Sequence, residues 1–176
     1  MNKTRLNALI VVVVAILAAF SSVAWAASGP SRFRVALDGY HEVPLALSTS
    51  GSGSFKAKID TRHQEITYEL SYSALEGDVT QAHIHFGSPS QAGGISAFFC
   101  TNLGNGPAGT QACPAAPATV TGTIRPADVI GPAGQGITAG QFDELVAAMR
   151  AGATYVNVHS TVYPGGEIRA QLGKFK

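Results

Sequence analysis

Phe55-Lys56-Ala57-Lys58-Ile59, the polar run Asp60-Thr61-Arg62-His63-Gln64, and Glu65-Ile66-Thr67-Tyr68-Glu69-Leu70-Ser71-Tyr72 together decide the fold class. Apolar and polar residues alternate with a period of two on either side of the polar run, so each flank reads as a strand with one buried face. Asp60 to Gln64 then makes the hairpin turn, with His63 solvated at its tip. Outward from this hairpin the same alternation recurs. Phe33, Val35 and Leu37 share one face of a preceding strand, and later runs span Val79 to Phe86, Ile95 to Cys100, Thr119 to Ile124, Tyr155 to Ser160 and Glu167 to Leu172. About eight short strands predict a mainly β domain, an antiparallel β-sandwich or barrel.

One segment departs from the period of two. Thr138 offers a helix N-cap with Gln141 three positions on, Phe142, Leu145, Val146 and Met149 recur at helical spacing, and Gly152 supplies a stop. This predicts one short inserted helix whose apolar face covers an open end of the sandwich. Asn102 to Pro117, rich in Gly and Pro, reads as a long irregular loop. Cys100 and Cys113 flank most of it and are the only cysteines of the chain. A disulfide is the expectation, with a thiolate metal pair as the alternative.

The disulfide expectation rests on export. Lys3 and Arg5 precede an apolar run from Ala8 to Phe20, and Ala24-Trp25-Ala26 follows, which is the layout of a secretory signal cleaved after Ala26. An uncleaved membrane anchor is the alternative. Removing residues 1–26 from the 176 leaves residues 27–176 as a single domain, exported to the periplasm or secreted, with no membrane contact after cleavage. Lys3 and Arg5 leave with the signal, so the 12 basic residues fall below the 11 acidic ones. That balance offers no footprint for nucleic acid. An extracellular or envelope protein is the partner class left open, and oligomeric state is open too.

Ala82-His83-Ile84-His85-Phe86 carries the local chemistry. Two imidazoles two residues apart leave the same face of a strand, the face they share with Gln81. His159, in Thr154-Tyr155-Val156-Asn157-Val158-His159, shares its face with Tyr155 and Asn157 while Val156 and Val158 take the other. Imidazole suits copper and zinc, so His83, His85 and His159 form a candidate metal site on the outer sheet face, with His41 as a candidate fourth ligand. The alternative is a set of ordinary polar residues bonded to loops. Glu167 is a candidate acceptor for an imidazole N–H if the Tyr163-Pro164-Gly165-Gly166 turn brings its strand beside His159. No nucleophile elbow, phosphate-cradling loop or dinucleotide fingerprint is present, so no catalytic residue is assigned.

Glu42-Val43-Pro44, Ala82-His83-Ile84-His85 and Tyr155-Val156-Asn157-Val158-His159-Ser160 leading to Tyr163-Pro164-Gly165-Gly166-Glu167-Ile168-Arg169 resemble the CHRD domain, from about Phe33 to Leu172. The resemblance implies a secreted, mainly β module without a defined enzymatic role. Two positions depart from the family pattern: His41 stands where Gln usually precedes Glu-Val-Pro, and Ala170 replaces a Gly after Ile-Arg. The His-x-His strand is also similar to that of copper/zinc superoxide dismutases, but no bridging histidine or zinc-binding Asp follows. The leading expectation is a binding or structural module with a copper or zinc site. The rivals are a copper redox enzyme and a metal-free adhesion or matrix module.

Overall fold

The structure, a computed structural model, describes residues 31–173. The expected signal segment, residues 1–26, lies outside the described residues. Eight strands follow the sequence pattern: β1 Arg32–Asp38, β2 Ser52–Asp60, β3 Glu65–Ser73, β4 Val79–Phe86, β5 Gly94–Thr101, β6 Ala118–Ile124, β7 Thr154–Ser160 and β8 Ile168–Leu172. All pair antiparallel in one sheet of order β5-β4-β7-β8-β1-β2-β3-β6. The sheet curls into a nearly closed barrel.

The ladder explains why sandwich and barrel were hard to separate in the sequence. β1 is matched to β2 over its whole length but to β8 through the single pair Asp38↔Arg169. Two four-stranded halves therefore face each other and join at one corner. On the far side β5 and β6 do not pair, and the side chain of Gln111 bridges them, with Nε2 donating to Phe99 O and Thr121 O, each at 3.1 Å.

The inner faces of the two halves make the core. Phe55, Tyr68 and Phe99 cluster there, with Phe99 5.1 Å from Phe55 and 4.7 Å from Tyr68 between ring centroids. Ala82, Ile84, Val156, Val158, Ile168 and Ala170 come from the other half. Ala170, the methyl in place of the family's Gly, is buried in this cluster and is accommodated without distortion of the β7–β8 ladder.

The hairpin turn forms as expected. Asp60 Oδ1 accepts the backbone N–H of Arg62 and His63, Gln64 adopts φ 53°, and His63 is exposed. The inserted helix, α1, spans Phe142–Arg150 and buries Phe142, Leu145, Val146, Ala148 and Met149 in the core. Its start lies four residues beyond the expected Thr138 cap. Gly140, at φ 85°, takes a left-handed turn that no helix can continue through. Gln141 Oε1 accepts from Thr138 N at 2.6 Å, so the reaching-back half of the predicted cap survives. Gly152, at φ 74°, ends the helix.

Cys100 and Cys113 form the expected disulfide. It joins two positions separated by 13 in the sequence and ties the intervening loop to β5. On the chain-entropy account such a closure is worth about 3 kcal/mol. Urea unfolding of a Cys100→Ser/Cys113→Ser variant should show a loss of about that size with a nearly unchanged β-type circular dichroism spectrum.

Candidate metal centre

β4 and β7 are adjacent, and their register sets His83 opposite Asn157 and His85 opposite Tyr155. Gln81, His83 and His85 of β4 and Tyr155, Asn157 and His159 of β7 therefore project from one outer face, while Ala82, Ile84, Val156 and Val158 point into the core. The β4–β5 register shifts between Ala82 and His83 and between Ile84 and His85, with the extra residues Phe99 and Ser96 on β5, so the irregularity beside the two histidines lies in the partner strand. The face is not solvated. His83 is 0 %, His85 7 % and His159 6 % exposed.

The three rings converge. One nitrogen from each of His83, His85 and His159 lies within 4.8 Å of the other two, and His83 Nδ1 is 3.3 Å from His85 Nε2. The opposite nitrogen of each ring meets an oxygen of the protein. His85 Nδ1 donates to Gly93 O at 2.9 Å, and His159 Nδ1 donates to Pro164 O at 3.0 Å. A carbonyl can only accept, so both Nδ1 atoms carry the hydrogen. His83 Nε2 donates to Gln81 Oε1 at 3.1 Å, and that amide is oriented by Asn105 Nδ2, which donates to the same oxygen at 2.8 Å.

These partners fix the tautomers. In the neutral rings His83 Nδ1, His85 Nε2 and His159 Nε2 are bare lone pairs. The first two face each other without a hydrogen between them, and His159 Nε2 is buried with no hydrogen-bond partner. A proton is a poor remedy. Burial, reinforced by the neighbouring imidazoles, pushes His83 down to about 2 and His85 down to about 4, and burial lowers His159 as well. Three ring nitrogens within 4.8 Å of one another, with the outward N–H groups anchored on oxygen, could hold a metal ion, since such outer partners are what keep ligating imidazoles in place.

Aromatic and cationic side chains complete this face. Tyr155 stacks on His85 with centroids 4.7 Å apart and planes 1° from parallel, and the Arg169 guanidinium sits 3.5 Å from the Tyr155 centroid. Two groups at those distances cannot share one side of a ring, so Tyr155 lies between His85 and Arg169. Arg169, 1 % exposed, donates to Ser88 O and Gln91 O, both at 3.0 Å, and makes no ion pair. The loop after β4 is thus pinned over the site.

Two expected contributors are placed elsewhere. His41 is exposed and its Nδ1 is 2.7 Å from Asp38 Oδ1, in a short 3-10 turn that points it away from the triad. It does not join the cluster. Glu167 is fully buried but contacts no imidazole. Its Oε1 accepts from Thr49 Oγ1 and from Glu76 N, both at 2.7 Å. The Pro164 carbonyl, which the turn delivers closer to His159, takes the role expected of it.

Glu42, from Glu-Val-Pro, is the buried acid that the sequence did not single out. Asn157 Nδ2 donates to its Oε2 at 3.3 Å, while Oε1 has no partner. Beside it the gap where β1 parts from β8 opens as a cavity of about 470 Å³, lined among others by Val35, Val43, Glu42, Arg169 and Gln171. Burial raises the Glu42 carboxyl to about 7, against the opposing pull of Arg169.

The CHRD domain family matches residues 33–172, and the chain belongs to that family. No curated protein and no solved structure is similar enough to the chain to match. CHRD domains are extracellular and suggest a binding or structural module, and the disulfide agrees with an oxidising compartment. Among the described residues no helix is long and apolar enough to cross a membrane.

Glu42 generates a pH prediction. Its folded value is raised above the ordinary 4.5, so its favourable contribution is full below pH 4.5 and is lost as the pH rises through about 7. In a Glu42→Gln variant the imidazole contributions are unchanged and cancel in the comparison. The stability difference should move by about 3 kcal/mol in favour of the wild type between pH 8 and pH 4.5, read from urea unfolding at each pH.

Proposed function

We propose that this protein is an exported CHRD module that holds a copper or zinc ion between His83 Nδ1, His85 Nε2 and His159 Nε2. One observation carries the reading: three buried lone pairs converge, while every opposite ring nitrogen is spent on a protein oxygen. Apolar residues could have filled this space at lower cost, since a buried polar atom without a partner costs about 1–3 kcal/mol. A bound ion satisfies all three at once.

The chain works as a single domain, residues 27–176, after removal of its signal, in the periplasm or outside the cell. Its partner is an extracellular or envelope protein. His83, His85 and His159 supply the ligands, Gln81, Gly93 and Pro164 hold their orientation, and the metal contributes cross-linking of β4 to β7 when bound. A second reading, copper redox catalysis, has one observation in its favour. Tyr155, an oxidisable ring, stacks directly on a candidate ligand.

Titration of the mature protein with Zn(II), Cu(II) and, under anaerobic reducing conditions, Cu(I) tests the site. At least one of these should bind at one equivalent, and a His83→Ala/His85→Ala variant should bind it at least 100-fold more weakly. Equal weak binding of all three by both proteins removes the metal centre. A copper-loaded sample that consumes no superoxide above the rate of the apoprotein removes the redox reading and leaves the module.

A further inference from the structure

We infer that the centre selects monovalent copper, binding Cu(I) in preference to Zn(II) and Cu(II). This rests on the reading of the triad as a metal site and concerns which ion it takes. Charge sets the preference. All three donors are neutral imidazole nitrogens, and no Cys, Asp or Glu joins them in the only such group among the described residues. Each ring is anchored on a neutral oxygen, the Gln81 amide or the Gly93 and Pro164 carbonyls. A carboxylate in any of those three places would lend the ring negative charge.

No carboxylate bonds to the rings, whose nitrogens meet only Gln81, Gly93, Pro164 and one another. The two buried acids near this face each bond other groups through one oxygen, Glu42 with Asn157 and Glu167 with Thr49 and the Glu76 amide, and neither joins the three nitrogens. The guanidinium of Arg169, against the Tyr155 ring that stacks on His85, repels a cation.

A buried ion in such a place is decided by the square of its charge. The Born cost of leaving water grows as the square of the charge, so a dication pays about four times what a monocation pays for the same burial. Closed structural Zn(II) sites recover that cost with four protein ligands, commonly thiolates, whereas this protein offers three neutral ones. Coordination number points the same way. Three nitrogens satisfy Cu(I): the His83–His85 pair at 3.3 Å fits two bonds of about 2.0 Å to one ion, and His159, with all three nitrogens within 4.8 Å, closes in by a small ring movement to supply the third. Imidazole is less soft than thiolate, so the preference comes from charge and not from ligand softness. The consequence is a module that keeps copper in its reduced form within an oxidising compartment.

The experiment measures Cu(I) by anaerobic competition with bicinchoninate in the presence of ascorbate, and Zn(II) and Cu(II) by calorimetry at the same pH. Cu(I) should bind at least 100-fold more tightly than either dication. In a Gln81→Glu variant, a carboxylate accepts the same hydrogen bond from His83 Nε2. Zn(II) affinity should rise about tenfold while Cu(I) affinity changes less than threefold.

Zn(II) or Cu(II) binding as tightly as Cu(I) in the wild type, and lost in the His83→Ala/His85→Ala variant, overturns this inference and leaves the metal centre standing. So does a Gln81→Glu variant that strengthens both metals equally. Absence of histidine-dependent binding for all three ions overturns the inference and the metal centre together. The wild-type order of affinities needs no variant, so the test survives a Gln81→Glu protein that fails to fold.

Discussion

The outer face of β4, β7 and β8 is polar and yet sealed from water, and most of the local architecture answers that constraint. Every residue of β7 and β8 is buried, including Asn157, His159, Arg169 and Gln171. Polar groups denied water must find partners inside the protein. Loop backbone supplies most of them: Gly93 O and Pro164 O take the imidazole N–H groups, Ser88 O and Gln91 O take Arg169, and Gly87 O and Gly152 O take the Gln171 amide. The loops are consequently tied to the sheet by the same side chains they cover. His159 Nε2 and, next to it in the fold, Asn157 Oδ1 and Glu42 Oε1 are exceptions to this satisfaction.

The barrel is the frame that makes such a covered face affordable. Its interior holds a conventional apolar core, with the Phe55–Tyr68–Phe99 cluster against the aliphatic residues of β4, β7 and β8. The two places where the wall is incomplete lie at opposite seams. Between β5 and β6 the disulfide loop closes the gap through Gln111, and between β1 and β8 a single ladder pair leaves a cavity bordered by Glu42 and Arg169. The loop that closes the first seam also carries Asn105, which orients Gln81 and through it His83. The disulfide, the barrel seam and the His83 ring are thus mechanically connected, each contact shared with the next.

Much of the fold could be read from alternation, because a strand with one buried face writes its period directly into the sequence. All eight strands were legible, as were the Asp60–Gln64 turn and the Cys100–Cys113 bridge. The start of α1 was misplaced because Thr138 and Gln141 have the residue types of a capping box, whereas Gly140 turns the backbone away between them. His83, His85 and His159 were legible as a shared face. His41 and Glu167 were not placed correctly. His41 has Asp38 three residues away to hold it at the surface, and Glu167 is claimed by Thr49 and Glu76, whose proximity no local pattern reveals.

The sequence by itself determined the β class, the inward and outward faces of each strand, the single helix and the identity of the three imidazoles. These are periodic or local properties, set by neighbours a few residues apart. Tertiary structure alone decided that the outer face is dry, which nitrogen of each histidine is free, and that Tyr155 lies between His85 and Arg169. Those facts depend on carbonyls and rings brought from remote segments: Gly93, Pro164 and Gln91 arrive through loops whose course is set by the closed sheet. A backbone oxygen has no side-chain signature, so the groups that fix the site's chemistry become visible only once the chain has folded around it.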